Sequence, residues 1–425
     1  MSPKAPKEEI KKTKPVSAQT SVNTKTNHKT DISEPDKTQT SPKSKKEHKP
    51  RTTGQKVLLW VLALLFIFIA AGVGVFVYFA FFRPSPEDAA NGNHPDFPDP
   101  IYSLLTGEEI SDASLNQKPT FCVQIPNGND GGRPQAGLNQ AAVVFEAIAE
   151  RGITRFAAIF QNPTVGAIGP IRSLRSYYLD WDTPFDCTIV HAGGSDEALA
   201  DLRRSGQRDL DESNTYMWRE NNSGRMWNNL FTSPANLAQF NETKGYNTSS
   251  PKVFPRLTPE NVDNIITERD TCAEGEDCIN IIDTVRLQFG ASPTFNTVYK
   301  YDPETNKYLR SYASGEPHVS YECPANLPEP NTKTQCGEPV QLAPSVVVAM
   351  VVQERPDYDG YHEKITTIGT GPATIFQNGQ VIEGSWTKSS QTSQIIFRNA
   401  NGDNIQFTPG QVWIAAIPQT GRIEY

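Results

Sequence analysis

The chain carries little of what usually announces a chemistry. Its six cysteines are spaced too widely for the close pairs, completed by histidines, that hold zinc, so no metal site is expected. No G-x-S-x-G elbow frames a nucleophilic serine. The run Gly193-Gly194-Ser195-Asp196-Glu197-Ala198 lacks the closing Lys-Ser/Thr of a P-loop, and nothing else calls for a cofactor. No fixed-period repeat runs along the chain. Positive charge is scarce beyond the first 56 residues. Those hold fourteen Lys or Arg against six Asp or Glu, a net +8, while the whole chain stands at −8. Residues 57–425 therefore carry −16. A body this acidic excludes bulk affinity for nucleic acid, which needs cations against phosphates.

The basic tail, 1–56, has no aromatic residue and reads as solvated disorder. Val57 to Phe82 follows, 26 residues whose only ionisable group is the phenol of Tyr78. About 20 apolar residues cross a bilayer core, so a single transmembrane helix is expected here. The run starts too late and is too long for a signal peptide. It ends in Tyr78-Phe79-Ala80-Phe81-Phe82, an aromatic belt, with Trp60 at the other interface. No cysteine suited to bacterial lipidation follows. Lys43, Lys45, Lys46, Lys49, Arg51 and Lys56 precede the helix, while Arg83, Glu87 and Asp88 follow it. Positive flanks stay inside, which puts the N-terminus in the cytoplasm and the C-terminal domains outside a single-pass cell-membrane anchor. All six cysteines lie on that outer side, where disulfides persist. Cys272–Cys278 across a short acidic loop and Cys323–Cys336 across a Pro/Asn-rich loop are the expected local bridges. Cys122–Cys187 follows by elimination, although six cysteines admit other pairings.

Residues 83–100 hold five prolines and read as a stalk. Residues 101–250 read as an α/β domain. Thr120–Ile125, Phe156–Phe160 and Cys187–Ala192 have strand patterns. Gln140–Glu150, with Ala141, Val144, Phe145 and Ile148 at helical spacing, predicts a helix. Ser173–Asp182 and Ser195–Leu202 are further helices, the last with Ser195 as N-cap and acids in its first turn. A helix capped by Ser233 runs to Phe240. Residues 251–425 read as a mainly antiparallel β domain, for α+β overall. Its strands include Thr297–Tyr301, Val346–Val352, Ala373–Phe376, Ile395–Phe397, Ile405–Phe407 and Val412–Ile417. Asn378-Gly379 and Asn401-Gly402 are hairpin turns between them.

Several strings resemble one family: RPQAGLNQAAVVFEAIAERGITRF (133–156), IGPIRSLRSYYLDW (168–181), VHAGGSDEAL (190–199), NLFTS (229–233), ATIFQNGQVIEGSW (373–386) and TPGQVWIAAIP (408–418). They are similar to the YerB-like bacterial envelope proteins, a two-part domain of unknown function, over about residues 100–425. The resemblance implies surface location and an α/β part followed by a β-rich one, with no established activity. Members commonly carry a lipobox cysteine, which the transmembrane helix replaces here. Where the family often reads an Asp-Asn-His-like segment, this chain has Ile125-Pro126-Asn127-Gly128-Asn129-Asp130.

Candidate ligand-binding residues are Arg133, Glu146, Arg155, Arg172, Arg175, His191, Gly193, Gly194 and Ser195. Ligands of open α/β sheets sit beyond the carboxyl ends of strands, and the glycines before Ser195 open a helix whose N–H groups could cradle an anion. Arg172 and Arg175, three apart, could share a helix face and grip a carboxylate or phosphate. Structural alternatives stand beside each reading: a Glu146–Arg155 ion pair, a tight turn at the glycines, a hydrogen-bonded His191. Asp180, Asp182 or Asp186 could pair with Glu146 as acid and base. Trp386, Trp413 and Tyr361 could stack on sugars or pack in the core. The leading expectation is an envelope protein that binds a cell-wall component or a wall-synthesis partner. The alternatives are a hydrolase or transferase on an envelope glycan or phosphate polymer, using Glu146, His191 and the arginines, and a structural assembly module.

Overall fold

The computed structural model describes residues 99–221, 227–271, 281–290 and 293–425. The tail 1–56, the expected membrane helix 57–82, nearly all of the stalk and the Cys272–Cys278 bridge lie outside the described residues. Among the described residues no helix is long and apolar enough to cross a membrane.

The strands that matter are β1 (Thr120–Pro126), β2 (Val143–Glu150), β3 (Ile153–Gln161), β4 (Cys187–Val190), β5 (Asp209–Leu210), β6 (Thr284–Gln288), β7 (Thr297–Asp302), β8 (Lys307–Tyr312), β9 (Val346–Val352), β10 (Gly369–Gln377), β11 (Gln380–Lys388), β12 (Ile396–Asn399), β13 (Val412–Pro418) and β14 (Arg422–Glu424). The helices are α1 (Ser176–Asp182), α2 (Asp196–Ser205) and α3 (Pro234–Lys244). A ten-stranded mixed sheet has the order β12-β11-β10-β9-β13-β2-β3-β1-β4-β5. Its middle is β13, parallel to both β9 and β2. The first part, expected to be α/β, is itself β-rich with few helices, its strands β1, β2 and β3 pairing antiparallel, and the two parts contribute adjoining halves of one continuous sheet. A second, antiparallel sheet runs β8-β7-β6-β14.

Alternation along the central strands sorts their side chains into two cores. Val143, Phe145, Ala147, Val346, Val348, Val412 and Ile414 face one side, where Tyr177, Tyr178, Leu179 and Trp181 of α1 and Ala198 and Leu202 of α2 cover them. Val144, Ile148, Phe156, Val347, Trp413 and Ala415 face the other, under Leu237 of α3 and Val285, Leu287, Tyr299 and Tyr308 of the second sheet. Burial on both faces explains one correction. Residues 143–150 (VVFEAIAE) form a fully buried strand, not part of a helix, because a strand covered on both sides needs no polar alternation and mimics a buried helix in sequence.

Elsewhere the expected elements appear. Ser195 and Ser233 cap α2 and α3 with their hydroxyls. The turn between β10 and β11 has positive φ at Asn378 and Gly379, as a two-residue hairpin requires, and a Cβ at Gly379 would stand 2.7 Å from the Tyr301 ring. The Asn401-Gly402 turn also forms, with Asn399 N–H bonded to Asp403 O at 3.0 Å. Ile405–Phe407 does not continue as a strand, since Phe407 N–H turns instead to Pro255 O at 2.8 Å. Cys122–Cys187 and Cys323–Cys336 are disulfide-bonded; the first joins β1 to β4.

Candidate functional site

Strands β1 and β2 are both antiparallel to β3, so their carboxyl ends meet at one edge of the molecule. There the loop after β1, the tip of β2, the start of β3 and the segment before α1 enclose a cavity of about 180 Å³. Three arginines line it: Arg155 from β3, and Arg172 and Arg175 from the chain leading to α1. That leading segment is extended rather than helical, with Arg175 at φ −124°, ψ 149°, and it is tied down where Arg172 N–H donates to Gln124 O at 2.8 Å. The two arginines therefore converge through strand-like geometry, not through a helix face.

Glu150 is the carboxylate among them. Arg155 Nη2 donates to its Oε1 at 2.8 Å and its Oε2 at 3.1 Å, and Arg175 Nη2 bonds the same Oε1. The register shift between Ile148 and Glu150 is a bulge that re-aims the Glu150 side chain toward Arg155. Burial works against the charge of Glu150, but Arg155 and Arg175 outweigh it and hold the carboxyl below its ordinary value. Arg155 also donates to Ser173 O at 2.5 Å. Arg175 is 7% exposed and its Nε has no hydrogen-bond partner among the described residues. The Arg172 guanidinium makes no hydrogen bond or ion pair among the described residues. Burial, then repulsion from Arg155, lowers the pKa of both Arg172 and Arg175. Three cations thus line the cavity with two carboxylates, the buried Glu150 and the exposed Asp130, which attracts Arg172 and accepts from Asn228 Nδ2 at 3.0 Å.

Tyr361 forms the outer wall. It rides on the hairpin Glu354–Pro356/Glu363–Ile365, held where Arg151 N–H donates to Tyr361 O at 3.2 Å. Its ring is 45% exposed and lies 5.3 Å from the Arg151 guanidinium.

The other expected residues lie elsewhere. Glu146 is wholly buried and pairs with Arg310, not Arg155, at 2.8 Å. It also accepts from Thr154 Oγ1 and Trp413 Nε1, each at 2.9 Å. Arg310 further bonds His318 Nδ1, whose Nε2–H reaches Gln135 Oε1 at 2.8 Å; burial, with Arg310 beside it, keeps His318 well below its ordinary pKa. Arg133 adjoins the cavity without entering it. Its Nε donates to Asn127 O and Oδ1 at 2.8 and 3.0 Å, and Asn127 itself lines the cavity.

His191 is wholly buried, with Nδ1 on Gly193 O at 2.8 Å and Nε2 on Asp209 at 2.9 Å. Burial opposes its charge, yet Asp209, Asp211 and the Gly193 carbonyl raise its pKa. Both ring nitrogens face acceptors, as an imidazolium requires. The glycine cradle is filled from within: Gly193 N–H donates to Asp211 at 2.7 Å, and Ser195 spends its hydroxyl on capping α2. Asp182 is buried against Gln124, Asp180 against Thr367 and Gln391, and Asp186 pairs with Arg208; none reaches Glu146. Trp386 and Trp413 are core residues.

Known proteins share this architecture. Residues 105–247 match the protein of unknown function (DUF3048) N-terminal domain, and residues 285–414 match its C-terminal domain. The "Putative lipoprotein YerB" of Bacillus subtilis (strain 168) is 29% identical over 348 residues, covering 81% of this chain and 93% of that protein. The crystal structure of YerB from Bacillus subtilis superposes with a TM-score of 0.59 at 25% identity, covering 76% of this chain and all of that one. With both halves of the domain present in order, the chain belongs to the YerB-like DUF3048 family.

Proposed function

We propose that this is a membrane-anchored extracytoplasmic envelope protein that binds, without transforming, an anionic group of a cell-wall polymer in the Arg155–Arg172–Arg175 pocket. One observation carries the reading: three arginines line one cavity, two of them sharing the buried Glu150 carboxylate, while Arg172 has no hydrogen bond or ion pair of its own among the described residues. The half-buried Arg172 leaves a cation without an ion-pair partner in the pocket, and guanidinium forks suit phosphate or carboxylate. Tyr361 adds an exposed ring on which a sugar can stack. The acid and the histidine that a hydrolase would use, Glu146 and His191, do not line the pocket and are already paired with Arg310 and Asp209. Anchoring rests on the apolar run 57–82 and its basic cytoplasmic flank, and the lipoprotein in the relative's name agrees with an envelope location.

The test is co-sedimentation of the detergent-solubilised full chain with purified cell walls, before and after mild acid has stripped their anionic polymers. Intact walls should carry the protein down, stripped walls should not, and Arg172→Ala should weaken binding by about tenfold, or ~1.4 kcal/mol. Binding that survives both stripping and Arg172→Ala contradicts the proposal.

A further inference from the structure

A second cation stands on the other side of the Asn127–Asp130 loop. The Arg133 guanidinium carbon stands 3.6 Å from the centre of the Tyr312 ring and 5.2 Å from that of Phe295, and Arg133 lines a separate open cleft of about 490 Å³ with Asn129, Thr294, Ser314 and Glu316. Its Nη2 is buried without a hydrogen-bond partner among the described residues, while its Nε is locked on Asn127. Burial pulls its pKa down, against attraction from Tyr312. Asn127 is the hinge of the arrangement, because it holds Arg133 on one side and lines the first pocket on the other. Each centre thus holds a guanidinium positioned by its neighbours, Arg133 in one and Arg175 in the other, the latter beside Arg172, which has no hydrogen bond or ion pair among the described residues.

From this juxtaposition we infer that the ligand is a polymer bearing repeated anionic groups, bound across the 127–130 loop with one group at Arg172/Arg175 and a neighbouring group at Arg133. The inference rests on the anion-binding reading of the first pocket and adds its substrate class. Two sites a loop apart reward a linked ligand, because engagement of the first group makes the second event intramolecular. A repeat that alternates anion and sugar or polyol also fits the exposed Tyr361 ring at the first site.

The experiment is calorimetric titration of the detergent-solubilised full chain, at one fixed salt concentration, with glycerol phosphate and galacturonate as monomers and as oligomers of increasing length. The dissociation constant should fall by at least about tenfold from monomer to oligomer and then level off. The series that shows the fall distinguishes phosphate from carboxylate. Arg133→Ala should abolish the length dependence. Ser314→Glu, an exposed change that puts a negative charge in the second cleft, should do the same if Arg133→Ala fails to fold. Monomer and oligomer binding alike, with Arg172→Ala still disruptive, overturns the two-site inference and spares the single pocket. No binding of any member overturns both.

Discussion

Replacing Glu150 by Ala removes the one carboxylate that holds Arg155 and Arg175 together. Glu150 is only 6% exposed, so the loss is that of one partner in a buried pair, about 3–5 kcal/mol. For roughly 300 ordered residues, unfolding entropy near 2.1 cal/mol/K per residue converts this into a fall in Tm of about 5–8 °C. The variant also leaves the two arginines without an anion in a cavity open to solvent. Inorganic phosphate should occupy the vacancy. At about 50 times its Kd it would restore RT ln 51, or roughly 2.3 kcal/mol, some 4 °C beyond any response of the wild type. Glu146→Ala is the control. It strands Arg310, whose side chain is fully buried, so it should cost as much, but its site is closed and phosphate should help it no more than the wild type. Differential scanning calorimetry with and without phosphate reads all three proteins. An unchanged Tm for Glu150→Ala, or equal phosphate responses in the two variants, would refute the reasoning.

Three further outcomes follow from named contacts. His191→Ala should destabilise the fold yet leave wall binding intact, because His191 lies outside the pocket. Its folded pKa is raised, so its stabilisation is full below about pH 6.5 and lost as pH rises through the folded value; the wild-type and variant Tm curves should therefore converge in mild alkali. Glu354, on the hairpin that carries Tyr361, is pushed up to about 8 by burial and by Glu363. Its unfolded form ionises first, so stability should decline from about pH 4.5 to 8, and Glu354→Gln should flatten that decline in pH-dependent melts. Cys122–Cys187 closes a 65-residue separation against 13 for Cys323–Cys336; loop entropy gives about 4 and 3 kcal/mol, so denaturant titration should find the double Ala variant of the first pair the weaker.

The strands at 120–126, 346–352 and 412–418 were legible because they are short apolar runs bounded by turn residues, and α2 and α3 because a serine marks each start. Residues 143–150 were not, since burial on both sheet faces erases the period that separates strand from helix. That misreading also hid Glu150: its orientation depends on a bulge, which leaves no mark in composition or alternation. Of the candidate residues, Arg155, Arg172 and Arg175 meet in one pocket and Arg133 adjoins it. Glu146 and His191 are equally rich in polar context, but sequence does not reveal that Arg310 and Asp209, distant along the chain, already neutralise them. Tyr361 reaches the pocket from the C-terminal half only because the two halves share one sheet.

The most direct measurement is anomalous diffraction from crystals of the folded domain soaked in selenate. An anion peak within hydrogen-bond distance of the Arg172 guanidinium, absent from Arg172→Ala crystals soaked alike, is what the account predicts. A pocket that stays empty while selenate occupies other sites, or a peak unchanged by the substitution, would contradict it.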